Sequence, residues 1–348
     1  MSGANEKLDK LAGDYKAISD KYGEGLNGKI AIVTGSNTGL GYEIARALAA
    51  CGVRVFVASR NLQKGEPAAK ELAEKDTSKA QVEYMHLDLA SLKSVRTFAE
   101  DFRKLGLPLH ILVNNASSWM VPESMSPTED GFEYQAASYY FGHVYLTELL
   151  KDKLESSAPA RLLWTTSASE TLGTINWDNI ELTDRTSNFA TYGTMKMYGQ
   201  MVARVYAKQL KSKKVSVYMG QPGMSSTDFF NPEKFSWYKP DATLQWLLQK
   251  FIGLTSEQGA WPIIFNAVAP EDQLQSAETG LSMGPEYYDT GVLQMPNITN
   301  KGLIRYQEPQ NDNIKDYSTC ERLYEATIKL LQRKPVVHNG PKLGNVGS

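Results

Sequence analysis

The sequence predicts an α/β protein: a parallel sheet with helices on both faces. From residue 29 onward, short apolar runs alternate with longer segments of helical period. Those runs are continuous in valine, isoleucine and leucine rather than alternating with polar residues, the pattern of strands covered on both sides. A glycine cluster separates the first run from the first helical segment.

Taken in order, the strands are Lys29–Gly35, Arg54–Ser59, Gln81–Leu87, His110–Asn114, Arg161–Ser167 and Lys214–Met219. The helical period Tyr42–Cys51 follows the first strand and stops at Gly52, a residue that tolerates left-handed geometry. No linker, charge run or repeat divides the chain. The expected organisation is a polar extension over residues 1–26 and a single domain over 27–348, the latter with a variable lid at about 224–260 and a C-terminal elaboration at 261–348. In the extension, Leu8, Leu11, Tyr15, Ile18 and Tyr22 recur at steps of three and four. They form one face of a short amphipathic helix that either packs on the domain or docks to a membrane or partner.

At 348 residues and 42% hydrophobic content the chain can bury a full core. A net charge of −2 with dispersed basic residues argues against nucleic acid as a partner. Cys51 and Cys320 are the only cysteines and suit a reducing compartment. His86, His110, His143 and His338 lack metal-ligand spacing, so no metal is expected. Neither an apolar leader nor a membrane-spanning stretch is legible, and the expected location is cytoplasmic.

Between first strand and first helix stands Thr34-Gly35-Ser36-Asn37-Thr38-Gly39-Leu40-Gly41. Glycines 35, 39 and 41 permit a sharp turn and let a pyrophosphate reach the helix N-terminus, where free N–H groups and the helix dipole favour negative charge. A dinucleotide site is therefore expected at Gly35, Asn37, Gly39, Leu40 and Gly41. The second strand ends in Ser59-Arg60, a hydroxyl and a guanidinium where a carboxylate would repel a 2′-phosphate, so NADP(H) is expected over NAD(H). Asp88 and Leu89 end the third strand, and Asn114, Asn115, Ala116 and Ser117 the fourth. Both stretches either line the cofactor crevice or cap the next helix.

Tyr192-Gly193-Thr194-Met195-Lys196 brings a phenol and an ammonium one helical turn apart. A phenol ionises near pH 10, too high for proton transfer at neutrality unless positive charge stabilises phenolate; the lysine and an oxidised nicotinamide are the expected sources. Ser167, 25 residues upstream at the end of the fifth strand, is placed to hold the substrate oxygen.

Together TGSNTGLG, HLDL, NNAS, the strand ending in Ser167, YGTMK, and Gln221-Pro222-Gly223 followed by Thr227 resemble the short-chain dehydrogenase/reductase superfamily over roughly residues 27–230. Within it the chain is most similar to the retinol-dehydrogenase-like branch, which includes the WW-domain-containing oxidoreductases. Supporting that branch less specifically are the stretch Thr255–Ala260 and a closing helix Cys320–Leu331. The resemblance implies a Rossmann-like, doubly wound sheet of about seven strands in the order 3-2-1-4-5-6-7. It also implies a catalytic set of Ser167, Tyr192 and Lys196, with Asp88 at the adenine and Asn114 and Ala116 bordering the ribose. Lys196 would bind the nicotinamide ribose, and Pro222, Gly223 and Thr227 would flank the carboxamide.

Two positions depart from the family pattern. Ser117 stands where the family has the glycine of NNAG. Tyr139, in Tyr139-Tyr140-Phe141-Gly142-His143, stands where NYLGH has an asparagine that supports a water-mediated relay through the lysine. A phenol cannot reproduce an amide's bonds, so the relay is rerouted or turnover is slow. Beyond Pro222 the chain turns aromatic (Phe229, Phe230, Trp237, Trp246, Phe251), matching a substrate pocket for a lipophilic carbonyl compound, a C-terminal core or an oligomer contact. The leading expectation is an NADP(H)-dependent carbonyl reductase or alcohol dehydrogenase acting on a lipophilic small molecule, possible as a homodimer. The alternatives are a cofactor-binding, nucleotide-sensing interaction partner with weak or no catalysis and, more narrowly, a light-driven ring reductase.

Overall fold

Six strands of the sheet coincide with the six apolar runs: β1 (Ile30–Thr34), β2 (Arg54–Ser59), β3 (Val82–His86), β4 (Ile111–Asn114), β5 (Ala160–Thr165) and β6 (Val215–Gly220). In this computed structural model the described residues are 13–75, 78–119, 121–184, 187–223, 254–285, 287–289, 294–296, 304–334 and 343. A seventh strand, β7 (Ser282–Pro285), pairs parallel with β6, and β8 (Ile304–Gln307) closes that edge antiparallel to β7. The strand order is 3-2-1-4-5-6-7-8, seven parallel strands as expected plus one antiparallel edge strand. A short ribbon pairs Tyr287–Asp289 with Gln294–Pro296.

The helices fill both faces. On one side lie α1 (Tyr15–Tyr22), α2 (Gly39–Ala50), α3 (Leu62–Lys75) and α7 (Ser256–Val268). On the other lie α4 (Leu92–Lys104), α5 (Gly142–Ser156), α6 (Asn188–Leu210) and α8 (Tyr317–Gln332). The two-residue period of a strand explains why both faces are apolar. In β1, Ile30 and Ile32 join the core under α4–α6, while Ala31 and Val33 join the core under α2 and α7. Each fully buried isoleucine or valine contributes about 1.5–3 kcal/mol of transfer free energy. Strand order reverses between β1 and β4, whose C-terminal ends therefore diverge and open a crevice, the usual place for a ligand in such sheets.

The described part of the N-terminal extension is α1, capped by Asp14, whose carboxylate accepts from the Ala17 N–H at 2.9 Å. Its apolar face, Tyr15, Ile18 and Tyr22, is buried in the core over α2, and the Tyr15 hydroxyl donates to Glu43. The closing helix starts one turn before Cys320, because Asp316 caps it. Of the segment expected as a lid, residues 224–253, with Thr227 and the aromatic residues named above, lie outside the described residues. Residues 256–260 form the first turn of α7, held by a capping box between Thr255 and Gln258.

Candidate active site

The nucleotide side of the crevice is made of backbone. Gly35 and Gly39 have φ of +65° and +59°, a region that side chains other than glycine enter at a cost. At Gly41 a Cβ would lie 2.4 Å from the Gly35 carbonyl oxygen and 2.6 Å from Asn115 Nδ2, so only glycine lets the turn fold onto the start of α2. The N-cap Thr38 makes no side-chain capping bond, and no acidic residue stands in the first turn. That helix start thus keeps its positive end for an outside anion, and this cradle of glycines fits a pyrophosphate.

Beside the turn, Thr34 Oγ1 accepts from the N–H groups of Asn115 (2.9 Å) and Ala116 (3.0 Å). Asn115 uses its amide to join β1 to β5, donating to the Thr34 carbonyl at 2.9 Å and accepting from Thr165 Oγ1 at 3.2 Å. Asn114 is buried and donates to Thr147 Oγ1 at 3.0 Å. These asparagines brace the crevice floor through their side chains. Asp88 Oδ1 accepts from the Ala90 N–H at 3.0 Å, a local turn ahead of α4, whose N-cap is Ser91. The Leu89 side chain is buried in the core. At the end of β2, Ser59 is 5% exposed and its hydroxyl is an orphan among described atoms, packed against α3 at Gly65. The Arg60 guanidinium hydrogen-bonds the Tyr134 hydroxyl. Ser117 Oγ is likewise buried and unpartnered.

The catalytic side is made of side chains. Ser187 caps α6 by accepting from the Ala190 N–H, and most of the helix is buried, with the polar residues Thr191, Thr194, Lys196 and Gln200 inside the protein. Tyr192 and Lys196 share one face. The Tyr192 hydroxyl is hydrogen-bonded to Ser167, which lies two residues past β5 in extended geometry and also accepts from Ser169 Oγ at 2.9 Å. Gln200, one turn beyond Lys196, donates to the Ser167 carbonyl at 3.2 Å. Lys196 is 2% exposed; its Nζ donates to the Thr165 carbonyl at 3.0 Å and lies 5.6 Å from the centre of the Tyr192 ring. The catalytic residues named from sequence therefore meet at the C-terminal end of β5. Pro222 and Gly223 follow β6, with Gly223 at φ +65°.

One electrostatic expectation is not met in the protein alone. Burial pushes the Tyr192 phenol up rather than down, with only the Ser167 bond opposing it. Burial also lowers Lys196 to about 7. Desolvation thus opposes charge on both groups when the crevice holds no other charge.

Two contributors escape a motif reading. Trp119, on the loop after β4, meets Tyr192 and Phe189 edge-on, with ring centroids 4.7 Å apart in each pair. It walls the Tyr192 phenol, and its only signal in the sequence is a large aromatic just after NNAS. Glu170, buried next to Ser167, accepts from the N–H groups of Gln310 (2.9 Å) and Asn311 (3.1 Å), anchoring the C-terminal elaboration at the rim. Among the described residues no cluster of metal-ligating side chains occurs, and no helix is long and apolar enough to cross a membrane.

A family model for short chain dehydrogenases matches residues 29–236. Retinol dehydrogenase 11 of Mus musculus is 38% identical over 245 residues, covering 70% of this chain and 74% of its own length. Polyprenol dehydrogenase of Homo sapiens is 35% identical over 251 residues, covering 70% and 73%. Among solved structures, that of L-sorbose reductase from Gluconobacter frateurii, complexed with NADPH and L-sorbose, superposes with a TM-score of 0.57. It is 19% identical, covers 70% of this chain and 90% of its own, and speaks to the fold.

Proposed function

The chain belongs to the short-chain dehydrogenase family, within its retinol-dehydrogenase-like branch, and we propose that it is an NADP(H)-dependent oxidoreductase interconverting a carbonyl and an alcohol on a lipophilic small molecule. The observation that carries this reading is the Ser167–Tyr192 hydrogen bond with Lys196 buried one turn away, at the mouth of a crevice whose other side is a glycine-lined helix start. Bound there, the nicotinamide supplies or takes up the hydride and, when oxidised, a positive charge. Ser167 holds the substrate oxygen. Tyr192, kept neutral by burial, delivers its proton to the oxygen as the carbon is reduced, and accepts one in the reverse direction. Lys196 stabilises the resulting phenolate, and Trp119 screens it from water.

The preference for NADP(H) rests on Ser59 and Arg60, a site without a carboxylate to repel a 2′-phosphate, where the buried Ser59 hydroxyl has no protein partner among described atoms. Retinol and polyprenol in the names of the relatives, together with Trp119 and Phe189 around Tyr192, support an apolar substrate. A second reading, a nucleotide-sensing interaction partner of weak activity, is favoured by Tyr139 alone. The test is turnover of NADPH against lipophilic aldehydes and ketones by wild type and Tyr192→Phe. The variant should lose at least about 100-fold in kcat while binding NADPH normally. Undiminished turnover overturns the role of Tyr192, and wild-type binding without turnover of any substrate favours the second reading.

A further inference from the structure

The wall behind Lys196 consists of one large ring and one missing side chain that fit each other. Residues 137–141 form a π-turn, closed by the Gly142 N–H donating to the Ala137 carbonyl, and the extra residue in that turn aims Tyr139 at the lysine. The Tyr139 hydroxyl donates to the Thr165 carbonyl at 3.1 Å, the same oxygen that accepts from Lys196 Nζ at 3.0 Å. Its ring centre lies 3.8 Å from Nζ. Helix α6 passes behind this ring at Gly199, where a Cβ would stand 2.5 Å from the Tyr139 hydroxyl oxygen and 2.8 Å from Cε1. Any side chain at 199 expels the ring from its place, and a small residue at 139 leaves the lysine without a floor.

We propose that Tyr139 is a positioning residue that, matched to Gly199, seats the Lys196 ammonium on its ring face and so sets the pH range over which the Tyr192–Lys196 couple carries its proton. This rests on the oxidoreductase reading above. The ring face is negative and attracts a cation, most strongly where water is excluded. Among the described residues, the titratable groups facing Lys196 are Tyr192 on α6, Tyr139 on the π-turn and His143 on α5. His143 is neutral: its Nδ1–H donates to the Tyr139 carbonyl at 2.5 Å, and burial lowers it to about 3. Neither phenol is ionised, because burial raises both. The aromatic face is therefore the negative potential that opposes the loss of the lysine's proton to desolvation.

In carbonyl reduction the couple must hold its proton, so kcat falls on the alkaline side as that proton is lost. Tyr139→Leu should move this alkaline limb down by about one pH unit, the loss of one desolvated cation–π contact. Tyr139→Phe keeps the ring and should keep the limb, at a reduced kcat because one donor to Thr165 is gone. Coincident limbs in wild type and Tyr139→Leu, or an equal shift in Tyr139→Phe, overturn the proposal. The steric match is read without turnover. Gly199→Ala should lower the melting temperature in the wild-type background and cost little in the Tyr139→Leu background; additive losses overturn it. If wild type turns over no substrate, the oxidoreductase reading fails but the ring's effect is still measurable. With Lys196 lowered by burial, the folded protein binds fewer protons than the unfolded chain above about pH 7 and gains stability as pH rises towards 10.5. In Tyr139→Leu that gain should begin about one unit lower, and an unchanged onset refutes the seating of Lys196.

Discussion

The two sides of the crevice are built by opposite means. Facing the nucleotide, β1 and α2 present backbone, with side chains removed at Gly35, Gly39 and Gly41 so that chain and anion can approach. Facing the substrate, β5, α6, the π-turn and the loop after β4 each supply a side chain, and burial decides what those side chains can do. A backbone device tolerates almost no substitution, because main-chain atoms occupy the place of a Cβ at Gly35 and Gly41 and a positive φ disfavours one at Gly39. A side-chain device should tolerate exchange when packed partners such as Tyr139 and Gly199 are changed together.

The largest expected effect follows from the backbone side. Gly41→Ala places a Cβ against the Gly35 carbonyl and Asn115, neither of which is a flexible side-chain end free to move away. Titration with NADPH should show affinity reduced by at least about tenfold, an anion site lost at a helix start. Wild-type affinity in this variant would mean that the two sides do not differ in the way described.

A smaller effect separates the sides by pH. His143 is fully buried at their junction, its Nδ1–H on the Tyr139 carbonyl and its Nε2 accepting from Thr34 Oγ1 at 2.8 Å. Burial lowers it from 6.5 to about 3, so between those values the unfolded chain binds a proton that the folded protein does not. Stability should therefore be complete above about pH 6.5 and fall as pH drops, by about 2–3 kcal/mol at pH 4.5. Denaturant melts of wild type and His143→Gln across this range check it; parallel acid losses in both would remove His143 as the cause.

The same contrast explains what could be read from residues alone. Strands β1 to β6 and the glycine turn are local matters, a continuous apolar run or a φ that one residue type supplies, and they stood within one or two residues of their sequence bounds. Ser167, Tyr192 and Lys196 were legible because spacing on a helix and position at a strand end imply proximity. Tyr139 was visible only as a departure, since nothing near residue 139 reports that Gly199 clears room for its ring. Position marks Asn115 and Leu89 as candidate cofactor residues; that the Asn115 amide also ties two strands and the Leu89 side chain joins the core was decided by neighbours distant in sequence. The antiparallel edge strand β8 was missed because short edge strands carry little periodicity.

The smallest effect tests whether the substrate side is as exchangeable as this contrast implies. Trp119 touches Tyr192 and Phe189 edge-on but makes no part of the glycine turn. Such an aromatic pair is worth about 0.5–1.5 kcal/mol beyond the area it buries, so Trp119→Ala should lower kcat for small aldehydes by about two- to tenfold as Tyr192 loosens. The vacated volume adjoins the Tyr192 phenol, so bulky ring ketones should lose less than small aldehydes, and the ratio of their kcat/KM values should rise. NADPH affinity should stay near that of wild type, because no atom of the nucleotide cradle moves. A loss of NADPH affinity matching that of Gly41→Ala would show that the two sides are one cooperative unit, and an unchanged substrate ratio would take Trp119 out of the pocket wall.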